Sequence, residues 1–133
     1  MTIAKIDLTQ RLKGKVDHLF HLAAIYDLAA SAEDQQRANI DGTRHAVEFA
    51  HGVQAGCFHH VSSIAAAGLY DGVFREDMFE EAEDLYHPYF RTKHLAEGIV
   101  RSECKGPWRI YRPGFVVGHS KTGYIDKIDG PYY

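Results

Sequence analysis

A tyrosine and a lysine lie four residues apart at Tyr89 and Lys93, a spacing that suits proton transfer. On a helix, side chains four residues apart leave the same face, so both groups can reach one site. A phenol ordinarily ionises near pH ~10, and an ammonium about 4 Å away would favour the phenolate by ~4 kcal/mol at an effective dielectric constant of ~20. The Tyr89 phenol could then exchange a proton with a carbonyl or an alcohol near neutral pH. A hydroxyl from Ser63 would hold the same oxygen by hydrogen bonding as charge develops on it.

Each of these polar residues also has a purely structural interpretation. Ser62 and Ser63 could be caps where a strand ends, and Ser62 is the neighbour that could be mistaken for Ser63. Asn39 could be a polar helix residue whose amide is satisfied by backbone groups. The conjunction of the residues, rather than any one of them, predicts the chemistry.

The histidine pairs do not suggest a metal site. His59 and His60 alternate across a strand, and His18 and His21 are three residues apart, so each pair points to opposite faces. Two ligands that point apart cannot share one ion. We therefore predict no metal.

The chain alternates between strand patterns and helix patterns. Apolar runs predict strands at 16–22, 57–63 and 108–111, the last resuming at 115–117, and residues 71–87 form a predicted polar loop. Ser31 can cap a first helix that stops at Gly52, and Pro88 suits the start of a second helix that ends at Gly106-Pro107. The two predicted inward faces have members spaced by three or four residues: Ala32, Gln36, Asn39, Thr43, Val47 and Ala50 on the first helix, and Tyr89, Lys93, Ala96, Val100 and Cys104 on the second.

Strands that alternate with helices predict a parallel α/β sheet with right-handed crossovers. In such a sheet, ligands bind beyond the carboxyl ends of the strands. Ala23, Ser63 and Pro113 fall at those ends, so we expect them to cluster.

Composition limits the classes of partner. The 133 residues are 45% hydrophobic and 25% charged, with a net charge of -3, which predicts one domain and gives no basic footprint for nucleic acid. Apolar runs are too short for a membrane span, and the start resembles no secretory signal, so we expect a cytoplasmic protein. The isolated thiols of Cys57 and Cys104 lack metal or redox spacing. The expected partner is a small-molecule substrate; the sequence does not predict an oligomeric state.

Five segments occur in an order that resembles extended short-chain dehydrogenases/reductases. They span nearly the whole chain: Val-Asp-His-Leu-Phe-His-Leu-Ala-Ala at 16–24, Asn-Ile-Asp-Gly-Thr at 39–43, His-Val-Ser-Ser at 60–63 leading to Gly68, the Tyr89 and Lys93 pair, and Tyr-Arg-Pro-Gly-Phe-Val-Val-Gly at 111–118. The amino-acid sequence at 112–123 and 126–131 is most similar to that of the branch of fatty acyl-CoA reductases and thioester reductases. The resemblance implies a partial Rossmann-like, doubly wound parallel sheet over residues 1–133 and a cofactor that is NADP or NAD.

The resemblance also implies roles for individual residues. Tyr89 would be the acid/base, Lys93 its partner and ribose anchor, Ser63 the donor to the substrate oxygen, and Asn39 a helix asparagine that supports the site. The loops after the strands would line the cofactor through Ala23, Ala24, Pro113, Gly114 and Val116. Asp7-Leu8 resembles the end of the strand whose aspartate faces adenine.

One part of the family pattern is missing from this sequence. No Gly-x-x-Gly-x-x-Gly stands before Val16 to hold a pyrophosphate, so we expect an internal fragment that lacks the first βαβ unit, binds NAD(P)H weakly and turns over little. For the parent protein the expected activity is reduction of an acyl thioester, aldehyde or ketone. The alternatives are a sugar-nucleotide epimerase or dehydratase, and a noncatalytic nucleotide-sensing module on the same fold.

Overall fold

The computed structural model describes residues 3–25, 31–115 and 117–125, without the side chains of 3–7. Within these ranges, four α-helices and three strands make up the regular structure, with a π-helical turn and a 3-10 turn between them. In chain order these are α1 (Ile3–Leu12), β1 (His18–His21), α2 (Ala32–Gln35), the π turn (Gln36–Asp41), α3 (Gly42–Val53), β2 (Cys57–Val61), the 3-10 turn (Ile64–Ala67), α4 (Pro88–Glu103) and β3 (Trp108–Tyr111). No helix in these ranges is long and apolar enough to cross a membrane.

The three strands form a parallel sheet in the order β1-β2-β3, as the alternating pattern predicts. In register, Leu19 pairs with Phe58 and Phe58 with Trp108, so these side chains share one face of the sheet. Phe58 is 1% exposed and packs in a core with Val47 of α3 and Val100 of α4. Full burial of such a side chain stabilises the fold by about 1.5–3 kcal/mol. The helices α3 and α4 therefore cover this face of the sheet.

Local sequence explains where α4 begins and ends. Pro88 occupies its first turn, where a missing N–H costs nothing, and the His87 side chain accepts a hydrogen bond from the Tyr89 backbone N–H at 3.2 Å. The helix ends at Glu103, just before Gly106-Pro107. Lys93, Ala96 and Val100 are buried on its inner face, as the periodicity predicts. The sequence therefore predicts both the ends and the buried face of this helix.

The first predicted helix is interrupted by the π turn, and this changes which residues face inward. From Asn39 onward the predicted positions are buried, as are Ile40 and Val53, but Ala32 and Gln36 are exposed and Gln35 is buried instead. A π turn holds more residues per turn than an α-helix, so it rotates the segment before it relative to the segment after it. The two inward positions assigned to Ala32 and Gln36 are therefore wrong.

Two further assignments of strand structure are also wrong. Asp7 and Leu8 lie within α1, not at the end of a strand, so the basis for placing them against adenine is removed. The segment before Gly14 packs against α3 instead, where a Cβ on Gly52 would come within 2.9 Å of a methyl carbon of Thr9. The predicted continuation of the last strand at 115–117 is wrong too, because neither Phe115 nor Val117 lies in a strand.

Candidate active site at the carboxyl ends of the strands

The loops that follow β2 and β3 are joined to each other by hydrogen bonds. After β2, the Ser62 N–H donates to the Tyr111 carbonyl at 2.8 Å and the Ile64 N–H donates to the Pro113 carbonyl at 3.1 Å. The parallel ladder thus continues beyond the last strand residues. Ser63 and Pro113 lie at the same edge of the sheet, as the topology predicts.

The two serines at this edge are in different environments. Ser62 is 4% exposed, and its buried hydroxyl has no hydrogen-bond partner within the described ranges. Ser63 is half-buried, and its Oγ accepts a hydrogen bond from the Ala65 N–H at 3.1 Å, which caps the 3-10 turn. The capping interpretation therefore applies to Ser63. A hydroxyl that accepts in this way keeps a proton to donate.

Lys93 extends from α4 to the end of β2. It is 4% exposed, and its ammonium donates to the Val61 carbonyl at 3.3 Å. Burial lowers the pKa of Lys93, because removal from water disfavours its charged form, while the nearby carboxylate of Glu97 opposes this shift. The ammonium thus lies at the last residue of β2, two residues before Ser63.

Tyr89 is half-buried on the first turn of α4, one turn before Lys93. Its carbonyl accepts a hydrogen bond from the Thr92 hydroxyl at 3.1 Å, which stabilises this turn. Four residues correspond to a rise of about 6 Å along the helix axis, and both side chains leave the same face. The structure thus brings Lys93 and Ser63 to one strand end and keeps Tyr89 one helical turn from Lys93.

Asn39 connects the loop after β1 to α4. Its Oδ1 accepts from the Ile25 N–H at 2.8 Å, and its Nδ2 donates to the Ile25 carbonyl at 3.0 Å and to the Thr92 hydroxyl at 3.1 Å. Asn39 is 2% exposed and lies in the π turn, a feature that often occurs at functional sites. Since Thr92 directly precedes Lys93, the amide of Asn39 fixes the helix turn that carries the lysine.

The residues assigned to cofactor binding are mostly exposed and small. Ala23 and Ala24 follow β1, the first exposed and the second half-buried, while Pro113 and Gly114 are exposed after β3. Val116 lies outside the described residues. Because these side chains are small, the backbone after the strands can be approached closely by a flat ring system. Lys93 supplies a cation at the same edge of the sheet, so the described residues fit one half of a dinucleotide.

A buried ion pair beside this site was not predicted from the sequence. Glu97 is 0% exposed and accepts three hydrogen bonds from Arg112, from Nε to Oε1 at 3.0 Å and to Oε2 at 3.3 Å, and from Nη2 to Oε2 at 2.8 Å. The Arg112 guanidinium also donates to the carbonyls of Met78 at 2.8 Å and Arg75 at 3.2 Å. The pair thereby holds the irregular segment 71–87 against α4. Two signals were available, since Glu97 lies four residues after Lys93 and Arg112 directly precedes Pro113.

A buried histidine beneath Lys93 was also missed. His60 is 2% exposed, its two ring nitrogens have no hydrogen-bond partner among the described residues, and its ring lies 5.5 Å from that of His21. Desolvation lowers the pKa of His60 from 6.5 to about 3, with smaller contributions from His21 and Lys93. His21 itself lies 3.2 Å from the Thr43 hydroxyl, and desolvation followed by the charge of Lys93 lowers its pKa. Both imidazoles are therefore neutral at neutral pH.

A family of NAD-binding domains described as male sterility protein matches residues 5–133 of this chain. The chain belongs to this family. The resemblance to extended short-chain dehydrogenases/reductases and to their thioester reductase branch is thereby confirmed, as is the Rossmann-like fold class. This family consists of NAD-binding oxidoreductases.

Individual relatives agree with that assignment. The chain is 33% identical to the non-canonical nonribosomal peptide synthetase FrzA of Cladobotryum sp and 32% identical to the aldehyde reductase lnbA of Aspergillus flavus, in each case over 84% of this chain and 12% of the relative. The chain thus spans about an eighth of the length of these relatives. Among solved structures, the terminal R domain from the myxalamid PKS-NRPS biosynthetic pathway superposes with a TM-score of 0.73 at 31% identity, covering 87% of this chain and 31% of that one. UDP-glucuronic acid 4-epimerase from Bacillus cereus, in complex with NAD, superposes with a TM-score of 0.69 at 26% identity, covering 86% and 36%.

Proposed function

We propose that this chain carries the Ser-Tyr-Lys catalytic group of an NAD(P)-dependent reductase that acts on an acyl thioester, an aldehyde or a ketone. The observation that carries the proposal is the contact of the Lys93 ammonium with the carbonyl of Val61, beside Ser63 and one turn from Tyr89. A domain that needed only a stable core would not bury an ammonium at this edge, because burial of a charge is costly. The aldehyde reductase lnbA, to which the chain is 32% identical, supports an aldehyde as one member of this substrate class.

A nicotinamide dinucleotide held by Lys93 and the loops after the strands would supply the hydride that reduces the substrate carbonyl carbon. Ser63 donates a hydrogen bond to the carbonyl oxygen, where negative charge develops. Tyr89 transfers its phenolic proton to that oxygen, and the adjacent Lys93 ammonium stabilises the phenolate that is left. The carboxylate of Glu97 favours the charged form of Lys93, because it opposes the lowering of the Lys93 pKa by burial.

Asn39 and the loops after the strands have supporting roles in this proposal. Asn39 positions α4 through Thr92, and the Lys93 ammonium would also anchor the ribose of the cofactor. Ala23, Ala24, Pro113 and Gly114 would line the dinucleotide. Either NAD or NADP fits these residues, because none of them distinguishes a ribose hydroxyl from a phosphate.

Nucleotide binding can be tested on the chain itself. NADH and NADPH are titrated by fluorescence and calorimetry against the natural chain, Lys93→Met and Lys105→Met, the last of which replaces an exposed lysine just beyond α4. We expect weak binding, in line with the absence of a glycine-rich phosphate motif before Val16, and a further loss in Lys93→Met only. Equal affinity in the natural chain and Lys93→Met would remove Lys93 from the cofactor site.

Turnover is tested in a completed domain, since the chain covers 31% of the R domain that it resembles. The chain replaces the matching segment of that domain, and NAD(P)H oxidation is followed with an acyl thioester and an aldehyde. Tyr89→Phe is expected to lower the rate by about 100-fold or more, whereas Tyr124→Phe, at an exposed tyrosine, leaves it unchanged. An unchanged rate in Tyr89→Phe would contradict the catalytic assignment.

The superposition on UDP-glucuronic acid 4-epimerase favours one second candidate, an epimerase or dehydratase with the same catalytic group. Such an enzyme returns its hydride to the substrate, so the total NADH does not change at the end of the reaction. A sugar nucleotide that is converted by the completed domain without net NAD(P)H oxidation would favour this candidate. A noncatalytic nucleotide-sensing module would instead bind nucleotide and be insensitive to Tyr89→Phe.

A further inference from the structure

The face of the sheet opposite α3 and α4 carries a second cluster of polar side chains. His18 pairs in register with Cys57, and Phe20 pairs with His59, so these four side chains share this face. Tyr111 of β3 extends the cluster, because its hydroxyl lies 2.8 Å from His59 Nδ1. These residues are separate from the group formed by Ser63, Tyr89 and Lys93.

Three potential metal ligands of this face lie close together. The Nδ1 atom of His18 is 3.0 Å from the Nε2 atom of His59, and one ligand atom from each of His18, Cys57 and His59 lies within 4.8 Å of the other two. We propose that His18, Cys57 and His59 form a binding site for a divalent transition metal ion of the zinc class. The His18 Nδ1, Cys57 Sγ and His59 Nε2 atoms are the three ligand atoms, and the fourth position of a tetrahedron is open to water.

The distances agree with tetrahedral coordination. Bond lengths of about 2.0–2.1 Å to nitrogen and about 2.3 Å to sulfur place tetrahedral ligand atoms about 3.3–3.6 Å apart. The two nitrogens are already at 3.0 Å, so a modest separation of the imidazoles and a rotation of the Cys57 side chain complete the geometry. Two imidazoles and a thiolate suit zinc or cobalt, whereas calcium and magnesium require oxygen ligands.

The buried ligand is already oriented for this role. When His59 binds a metal through Nε2, its Nδ1 carries a proton and donates it to the Tyr111 hydroxyl. Phe20 stacks on the same imidazole at 4.2 Å with an interplanar angle of 15°. A hydrogen bond to the outer nitrogen and a stacked ring fix the plane of the ligand, as at established metal sites.

Charges around the cluster act in two directions. Arg109 pairs with His59 in the register of β2 and β3 and repels a dication, but it is exposed and its charge is screened by water. A Cys57 thiolate, which forms when a metal binds, adds a negative charge that offsets this repulsion.

Sequence reasoning missed this site because it compared histidines within one strand. Neighbours such as His59 and His60 do point to opposite faces, but His18 and His59 come from two adjacent strands. The parallel register, in which His18 lies opposite Cys57, brings the two histidines together although they are 41 residues apart in sequence.

The test is a titration of the reduced 133-residue chain with Co²⁺, a spectroscopic substitute for Zn²⁺. Tetrahedral cobalt with a thiolate ligand gives a sulfur-to-metal charge-transfer band in the near ultraviolet and visible bands that Zn²⁺ abolishes on displacement. We expect these bands to saturate at one cobalt per chain. Absence of the bands in the natural chain at saturating Co²⁺ overturns the proposal without any variant.

Variants assign the ligands. Cys57→Ser is expected to lose the charge-transfer band, Cys104→Ser to keep it as the matched thiol control, and Tyr111→Phe to weaken cobalt affinity about tenfold or more. His59→Ala is expected to lose binding, while His45→Ala, at an exposed histidine of α3, retains it. A band that persists in Cys57→Ser or disappears in Cys104→Ser overturns the ligand set. Circular dichroism verifies that each variant is folded.

Discussion

The buried imidazole of His60 makes the stability of this chain depend on pH. In the folded chain the His60 pKa is about 3, whereas the ordinary value of 6.5 applies when the chain unfolds. Below pH 6.5 the unfolded chain therefore binds a proton that the folded chain does not, and the free energy of unfolding falls as the pH falls toward about 3. Between about pH 7.5 and about pH 4.5, protonation of one unfolded histidine removes about 2.7 kcal/mol, at about 1.4 kcal/mol per pH unit.

The His60→Leu variant isolates this effect. Leucine has a similar volume and no titrating group, and it also removes two buried nitrogens that lack partners within the described ranges. Free energies of unfolding are measured by urea denaturation at a series of pH values. His60→Leu is expected to lose about 2–3 kcal/mol less than the natural chain over that interval, and the control His45→Leu, at an exposed histidine, to follow the natural chain. Parallel pH profiles for the natural chain and His60→Leu would refute the reasoning, because groups common to both, such as His21, His59 and the carboxylates, would then explain all of the acid sensitivity.

Two other substitutions test contacts that hold the site in place. Glu97→Gln is expected to lower the free energy of unfolding by about 3 kcal/mol or more, because the Arg112 guanidinium stays largely buried without its carboxylate; Asp77→Asn, in an exposed ion pair, should change urea denaturation far less, and equal effects would contradict this. Gly68→Ala should destabilise the chain more than Gly14→Ala, although both glycines have positive φ values of 66° and 71°. At Gly68 a Cβ would lie 1.8 Å from a backbone carbonyl oxygen, whereas nothing lies within 4 Å at Gly14. Similar melting temperatures for the two alanine variants would show that the backbone contact between Gly68 and Glu83 opens easily.

Local patterns in the sequence predicted the elements that carry the site. The strand at Trp108–Tyr111 and the helix Pro88–Glu103 follow from an apolar run, a proline at a helix start and a Gly-Pro at a helix end. Each of these signals acts within a few residues, so one sequence is sufficient to recognise it. Parallel topology then places Ser63 and Pro113 at one edge, since that placement depends only on strand direction.

What the sequence did not predict depends on tertiary packing or on backbone detail. The π turn at Gln36–Asp41 has no local composition that distinguishes it from an α-helix, and it decides that Gln35 rather than Gln36 is buried. The short segment around Asp7 was assigned to a strand from two or three matching residues, whereas a helix of ten residues formed there. Partners such as Glu97 and Arg112 are 15 residues apart, on a helix and after a strand, and only the fold brings them together.

The buried side chains change from apolar to polar along the same direction in three elements. Along β2, buried Phe58 is followed by buried His60 toward the carboxyl end of the strand. The helices α3 and α4 run in the opposite direction, so their first turns lie near that end. There the buried Thr43 and Lys93 precede the buried Val47 and Val100. Apolar residues at the polar positions would serve stability at least as well, since unpartnered or charged groups in a core are costly. Thr43, His60 and Lys93 lie toward the end of the sheet where parallel α/β proteins bind ligands, and consistency among local rules is expected to fail at functional sites. This polarity gradient, which does not depend on any single residue match, is the reason to look for chemistry at this edge.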